Sequence, residues 1–497
     1  MLAKMRMNPS NLSILVVCAL SGAGCMPEIK GITRSPAADP GPGAVGALND
    51  GTWNVSLSRS PRISWAAPAS FGSNGLGHYD YSIGSAAGLT DLLAWTSAGT
   101  ASSTYATGLS LVDATDYFVN VRVVDAVGRF SAVTSSNGWR TRVTGAGAFA
   151  AAANQAANAA PRAVAVGDFN RDGKLDFVCA NGGTGTTLSL YLGDGLGGFA
   201  RQADLTVIQN PQGLVVADFD KDGFLDIAVI SYFPGDLQLF RGNGDGTFAA
   251  RQDLSLGNTA TGITAVDVDH DGFLDLVITQ NAANAAIVVK NTGLATVFTL
   301  AGTSSSTTAA APKSVVTGDF DGDGWADFAT ANETANSVSI ISGNSNGTLG
   351  VAANRAAGTF PRVIAVGDFN LDGKPDVATP NQTSNSISVF LNSSSGVGNY
   401  GFAAPVNYAV PGGSSPHGLW VADVNGDGVP DLIATYSAST TIGVLLGKGD
   451  GTFEAPVTFT VGTSPYRLVS GDFNNDGKID LVIANKDSNN VSVLLGQ

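Results

Sequence analysis

Histidine and cysteine are nearly missing, with three of each among 497 residues. That excludes a disulfide framework and leaves little for a His-rich metal centre or for histidine catalysis. Charge is sparse and unbalanced: 26 Lys+Arg against 41 Asp+Glu give a net of −15. A chain this acidic offers no basic surface for nucleic acid, so no such partner is expected. Long apolar runs are absent. The stretch Ile14 to Leu20 is far shorter than the roughly 20 residues of a spanning helix, and no other segment comes nearer. Neither a Gly-x-Ser-x-Gly with partners nor a His-Glu-x-x-His motif occurs. What is abundant is glycine, 63 residues, about twice the average share of roughly 7%. So much glycine calls for many tight turns, and hence short strands rather than long helices.

The N-terminus reads as an address. Lys4 and Arg6 precede the apolar run, and Ser21-Gly22-Ala23-Gly24-Cys25 follows it, which is the layout of a secretory signal over residues 1–25. The small residues before Cys25 resemble a bacterial lipoprotein cleavage site, although Gly22 stands where that family usually has Leu. The resemblance implies that Cys25 is lipidated, and that the chain meets a membrane only through that anchor. The alternative is an ordinary signal peptide with an incidental cysteine. Either way a secreted or cell-surface protein is expected. Residues 26–47, with Pro36, Pro40 and Pro42 among Ala and Gly, read as a linker.

Over 48–143 short β-branched and aromatic runs alternate with turn signals. Ile63-Ser64-Trp65, the run from Leu111 to Tyr117, and alternating Val119, Val121 and Val123 resemble a fibronectin type III domain. The resemblance implies a core role for Trp65 and a tyrosine corner at Tyr117. Asp113 replaces the Pro usual in that corner, and no Arg-Gly-Asp tripeptide is present. A spacer is therefore expected here rather than a binding domain.

From 145 to 497 one nine-residue pattern, Asp-x-Asp/Asn-x-Asp-Gly-x-x-Asp, recurs seven times. The copies begin at Asp168, Asp218, Asp267, Asp319, Asp368, Asp423 and Asp472, in steps of 50, 49, 52, 49, 55 and 49 residues. The third position is Asn170, Asp220, Asp269, Asp321, Asn370, Asn425 or Asn474. The fifth is Asp172, Asp222, Asp271, Asp323, Asp372, Asp427 or Asp476, and the ninth Asp176, Asp226, Asp275, Asp327, Asp376, Asp431 or Asp480. Together the loops hold 24 of the 41 acidic residues.

This is the donor set of a hard cation. Calcium takes six to eight oxygens at roughly 2.3–2.6 Å, and alternate residues of a tight loop aim carboxylates inward from positions one, three and five. Glycine at position six permits the bend. Position seven would offer its carbonyl, which explains why its side chain varies among Lys174, Phe224, Phe273, Trp325, Lys374, Val429 and Lys478. The ninth Asp would close the cage. An EF-hand would use Glu at position twelve and lead into a helix, whereas Asp226 leads into Ile-Ala-Val-Ile, a strand. Up to seven Ca²⁺ are expected, which would offset nearly all of the −15. Loops four and two, with Asp at every ligand side chain, should bind tightest.

Each repeat holds four short strands, the unit of a propeller blade. The last repeat stops after its third strand, and Gly147-Ala148-Phe149 stands before Asp168 as Gly451-Thr452-Phe453 stands before Asp472. Residues near 147–158 should therefore supply the missing strand and close a seven-membered ring. The expected fold is all-β: a seven-bladed β-propeller preceded by a fibronectin type III-like β-sandwich. The loops and the Gly-Asp-Phe entries at Gly167, Gly318, Gly367 and Gly471 resemble FG-GAP/VCBS repeats, as in integrin alpha-subunit propellers. That resemblance implies calcium loops between first and second strands on the lower face, stiffening the blades.

A ligand would then sit on the opposite face. Arg162, Gln212, Thr261, Lys313, Arg362, His417 and Tyr466 each open a first strand, six of them directly after a Pro. The register places all seven around the upper mouth of the channel. Cations with His and Tyr suggest an acidic or hydroxyl-rich ligand; a merely solvated rim is the alternative. Turns at Asn281–Asn284, Asn332–Asn336 and Asn381–Asn385, with Tyr232, Phe233 and Tyr436, could also meet a sugar, though asparagine equally suits turns. No catalytic residue is assigned. The leading expectation is a binding or adhesion module for a glycan or surface protein, the others a calcium-containing polysaccharide-acting enzyme and a structural display protein.

Overall fold

The computed structural model describes residues 147–497 apart from 184, 258, 294–297, 300–303 and 412–413, together with parts of 48–140. Signal, linker and Cys25 lie outside the described residues. The described residues contain strands and turns and no α-helix.

Between 48 and 140 two antiparallel sheets form. One joins Leu48–Asn49, Arg62–Trp65 and Ser103–Tyr105. The other centres on Leu76–Gly84 paired with Asp116–Asp125. Tyr79, Tyr81, Ile83, Val119, Val121 and Val123 are buried on it. The side chains of Trp65 and Tyr117, and residue Leu111, lie outside the described residues.

The rest is a ring of seven antiparallel sheets, each built from four main strands in order. In the first, Pro161–Gly167 pairs with Asp176–Asn181, then Thr187–Gly193, then Phe199–Arg201. The second strands are buried at every one of their six positions in all seven sheets. Flanked on both faces, they read as continuous apolar runs such as Asp226-Ile-Ala-Val-Ile rather than as alternation. Outer strands face water, and Gln252–Ser255 alternates half-buried with exposed residues.

Seven apolar clusters hold the ring, one at each junction of neighbouring sheets. The cluster joining the seventh sheet to the first packs Val482 and Val493 against Val164 and Phe177. The aromatic at loop position two is driven into these junctions: Phe169, Phe219, Phe320, Phe369 and Phe473 are at most 3% exposed. Each buried Phe contributes roughly 1.5–3 kcal/mol, so an acidic, water-exposed loop is anchored by an apolar side chain. The last sheet takes its fourth strand from Ala153–Ala156, with Val491 opposite Gln155. That is where the closing strand was expected.

In six sheets the first strand starts one residue before the expected mouth residue and finishes next to an acidic loop; in the fifth it is only Ala365–Gly367, with Pro361 bridged singly to Asn381. Arg162 and Asp168 are thus six residues apart along one strand, or about 20 Å.

Candidate functional site

The acidic loops are wound by their own backbone. In the first, Asp168 accepts from the amides of Asp172 (3.1 Å) and Gly173 (2.9 Å), and Asn170 accepts from Asp172 (3.1 Å). Asp172 accepts from Lys174 at 3.0 Å. The fourth loop repeats the set, from Asp319 to Asp323 and Gly324. Position six has φ between 78° and 90° in every copy, so glycine is needed there for its backbone freedom. Position four is left-handed as well: Arg171, Lys221, His270, Leu371 and Asn475 have φ of 57° to 60°. The sequence pattern missed this, because only Asn475 and the glycines Gly322 and Gly426 hint at it.

Position nine does more than close a cage. Asp176 accepts from Phe169 N (2.9 Å) with one oxygen and from Gly193 N (2.8 Å) with the other. Asp226, Asp275, Asp327, Asp376, Asp431 and Asp480 repeat both bonds, tying each loop to the end of the third strand. Burial pushes their carboxyls up, Asp176 to about 6, Asp226 to about 7 and Asp431 to about 8; the neighbouring loop aspartates push the same way, and the two amides pull back.

These residues fit a hard cation. Asp218, Asp220 and Asp226, then Asp267, Asp269 and Asp271, then Asp319, Asp321 and Asp327 each bring three carboxylate oxygens within 4.8 Å of one another. One oxygen of Asp269 is buried without a hydrogen-bond partner, as a ligand atom awaiting a metal would be. Loop three carries the same four aspartates as loops two and four, so the expectation of tightest binding extends to it. Two loops already hold a side-chain cation at position three: Lys290 lies 2.6 Å from Asp269 and Arg241 3.4 Å from Asp220.

At the other end of the first strands lies one cavity of about 220 Å³. Arg162, Gln212, Thr261, Lys313, Arg362, His417 and Tyr466, expected around the channel mouth, all line it. Asn210, Tyr232 and Arg467 complete the lining. Arg467 is one residue beyond the register used to find the others and was missed for that reason. Glu333 accepts from Lys313 (3.0 Å) and Arg362 (2.6 Å) just behind the wall. His417 is buried, its ring 3.6 Å from that of Tyr466 and its Nδ1 3.2 Å from the Tyr466 carbonyl oxygen. Burial, with Arg362, Arg467 and Arg162 nearby, holds its pKa well below the usual value, so it stays neutral at physiological pH. The lining holds four cations and no carboxylate, serine or cysteine.

Other candidates resolve differently. Tyr436 is fully buried within its sheet and offers no face to a sugar, a correction to the aromatic expectation. Tyr232 lines the cavity, and Phe233 is 62% exposed. The asparagine turns are structural: Asn284, Asn336 and Asn385 are left-handed and accept from the amides of Ala311, Phe360 and Ser415 in the following repeat. His270 is exposed and stacks on Trp325 at 4.0 Å. Cys179 is buried and packs in the core as a small apolar residue.

Among solved structures, a functionally unknown protein from Desulfotomaculum acetoxidans DSM 771 is similar at 12% identity, TM-score 0.43, over 69% of this chain and 96% of its own. A protein provisionally assigned as a 6-phosphogluconolactonase from Bacteroides fragilis NCTC 9343 is similar at 12% identity, TM-score 0.48, over 72% and 94%. One of the same assignment from Bacteroides uniformis ATCC 8492 gives 14%, 0.46, 69% and 92%. No curated protein matches the chain. The FG-GAP-like repeat model matches six overlapping segments, 168–229, 222–278, 267–330, 319–379, 368–434 and 423–483, which run from the first acidic loop through the last. With well over half of its length so matched, the chain belongs to the FG-GAP-like repeat family.

Proposed function

We propose that this is an exported seven-bladed β-propeller, stiffened by calcium in its acidic loops, that acts as a cell-surface binding or adhesion module for a glycan or protein. The signal-like N-terminus with Cys25 and the Pro-rich linker suit presentation away from an envelope. The sheets of 48–140 suit a fibronectin type III-like spacer. The observation that carries the reading is the axial cavity, to which each of the seven repeats contributes at least one side chain. Repeats that merely stacked for display would have no need to converge chemically distinct residues on one point. The lining favours binding over turnover, because it lacks the carboxylate pairs and activated nucleophiles of hydrolases.

The test is a glycan and surface-protein array probed with the full chain in Ca²⁺. Binding that is lost in a Tyr466→Ala/Arg362→Ala variant of unchanged melting temperature supports the reading. An array without hits, or hits indifferent to that variant, contradicts it. Turnover of a polyuronate by the same preparation would favour the enzyme instead.

A further inference from the structure

We infer that the axial cavity seats the acidic end of a carbohydrate, entering end-on, with Arg162 and Arg467 holding its oxyanion; this rests on the binding-module reading above. Charge is the first ground. Among the described residues the four lining cations are opposed only by Glu333, which is engaged by Lys313 and Arg362. Arg162 and Arg467 have no acidic partner among the described residues. The Nε of Arg162 is buried with no hydrogen-bond partner, and its Nη1 reaches only the Asn210 oxygen, at 3.4 Å. A buried guanidinium donor left unpaired is costly, and a carboxylate or sulfate accepting from it relieves that cost. A net positive pocket in a chain of charge −15 also draws an anion against the field of the rest of the surface.

Shape is the second. The lining closes around the ring axis with at least one residue from each repeat, so a chain cannot lie across it. At about 220 Å³ the cavity is small beside the roughly 300–1,000 Å³ of drug-sized ligand sites, and it suits one terminal unit. Neutral groups stand between the cations. Gln212 donates to Asn210 at 2.8 Å, and the Tyr466 ring lies under Arg162. Amides and an aromatic face beside guanidinium groups match hydroxyls and a sugar ring beside an oxyanion.

Glu333 gives the inference its sharpest test, because its carboxylate repels the ligand it sits behind. Calorimetry on the full chain with galacturonate, galactose, galactose 6-sulfate and inorganic sulfate is the experiment. Galacturonate or the sulfated sugar should bind one per chain, and galactose should not; which of the two binds more tightly identifies the oxyanion. Arg162→Gln and Arg467→Gln should each weaken binding about ten-fold or more, whereas Glu333→Gln should strengthen it several-fold, a gain that misfolding cannot imitate. Inorganic sulfate binding as tightly as the sugars, or sugar binding indifferent to all three substitutions, overturns the inference. A neutral glycan bound in a Tyr466-dependent way also overturns it, while leaving the binding-module reading intact.

Discussion

Asn291 donates its side-chain amide to the carbonyl oxygen of Phe219 at 2.7 Å, crossing from one sheet to the acidic loop of the sheet before it. Asn392 does the same to Phe320 at 2.8 Å. At three other junctions a backbone amide takes that place: Gly246 to Phe169, Gly451 to Phe369 and Gly197 to Phe473. The loop's second residue thus sends its ring into the junction and its carbonyl to the neighbour. Whatever orders the loop also orders the joint between blades. Asn291→Ala removes the two hydrogen bonds to Phe219 and Leu274 and should cost about 1–3 kcal/mol, read as a lower denaturant midpoint. An unchanged midpoint contradicts the stitch.

Tyr436 and Gly443 form a second coupled pair. In four sheets the matching positions hold an Asn bonded to a Ser, such as Asn332 to Ser339 and Asn485 to Ser492. In the sixth sheet a tyrosine fills the space of both, and a Cβ on Gly443 would overlap its hydroxyl. Gly443→Ser alone should destabilise by about 1–3 kcal/mol through overpacking, and Tyr436→Asn alone should leave a void. The double variant should recover most of the loss, and additive losses would contradict the pairing.

Acidity should act in opposite directions with and without metal. Asp431 is raised to about 8 and Asp226, Asp376 and Asp423 to about 7, in each case chiefly by burial. In chelator the folded state then binds protons that the unfolded chain, with carboxyls near 3.9, has already released. Stability of the chelated protein should therefore fall as pH rises from about 4 to 8. Calcium requires these groups ionised, so its added stability should grow over the same window. Melts at pH 5 and pH 8, each in chelator and in Ca²⁺, check both signs. A chelated protein more stable at pH 8 would contradict the account.

Loop and cavity should be separable. Asp323→Ala removes a carboxylate from the fourth loop, at the far end of a strand from Lys313. It should lower the melting temperature in Ca²⁺ yet leave ligand affinity within about two-fold. Affinity collapsing while the melt holds would place the metal at the binding site.

Much of this was legible because a repeat multiplies weak signals. Seven copies fix the loops, the strand order and the register that brings Arg162, Gln212 and Tyr466 to one cavity. The closing strand at Ala153–Ala156 was legible from Phe149, whose setting matches that of Phe453. What escaped depends on contacts between repeats rather than within one. Glu333 occupies a position held by Gly182, Tyr232, Asn281, Gln382, Ser437 and Lys486 in the other repeats, so no pattern flags it. Tyr436 looked like a ligand-facing aromatic because its burial depends on Gly443, seven residues away on the paired strand. The left-handed residues at loop position four carry ordinary side chains such as Leu371, and only geometry shows them.

The most direct test is a thermal melt of the full chain in excess EDTA, set beside the calcium content of the same preparation. If divalent ions in the acidic loops hold the ring together, bound calcium should be several per chain, and its removal should lower the melting temperature by many degrees, restored on adding Ca²⁺. A metal-free preparation with the same melting temperature in EDTA and in Ca²⁺ would contradict it.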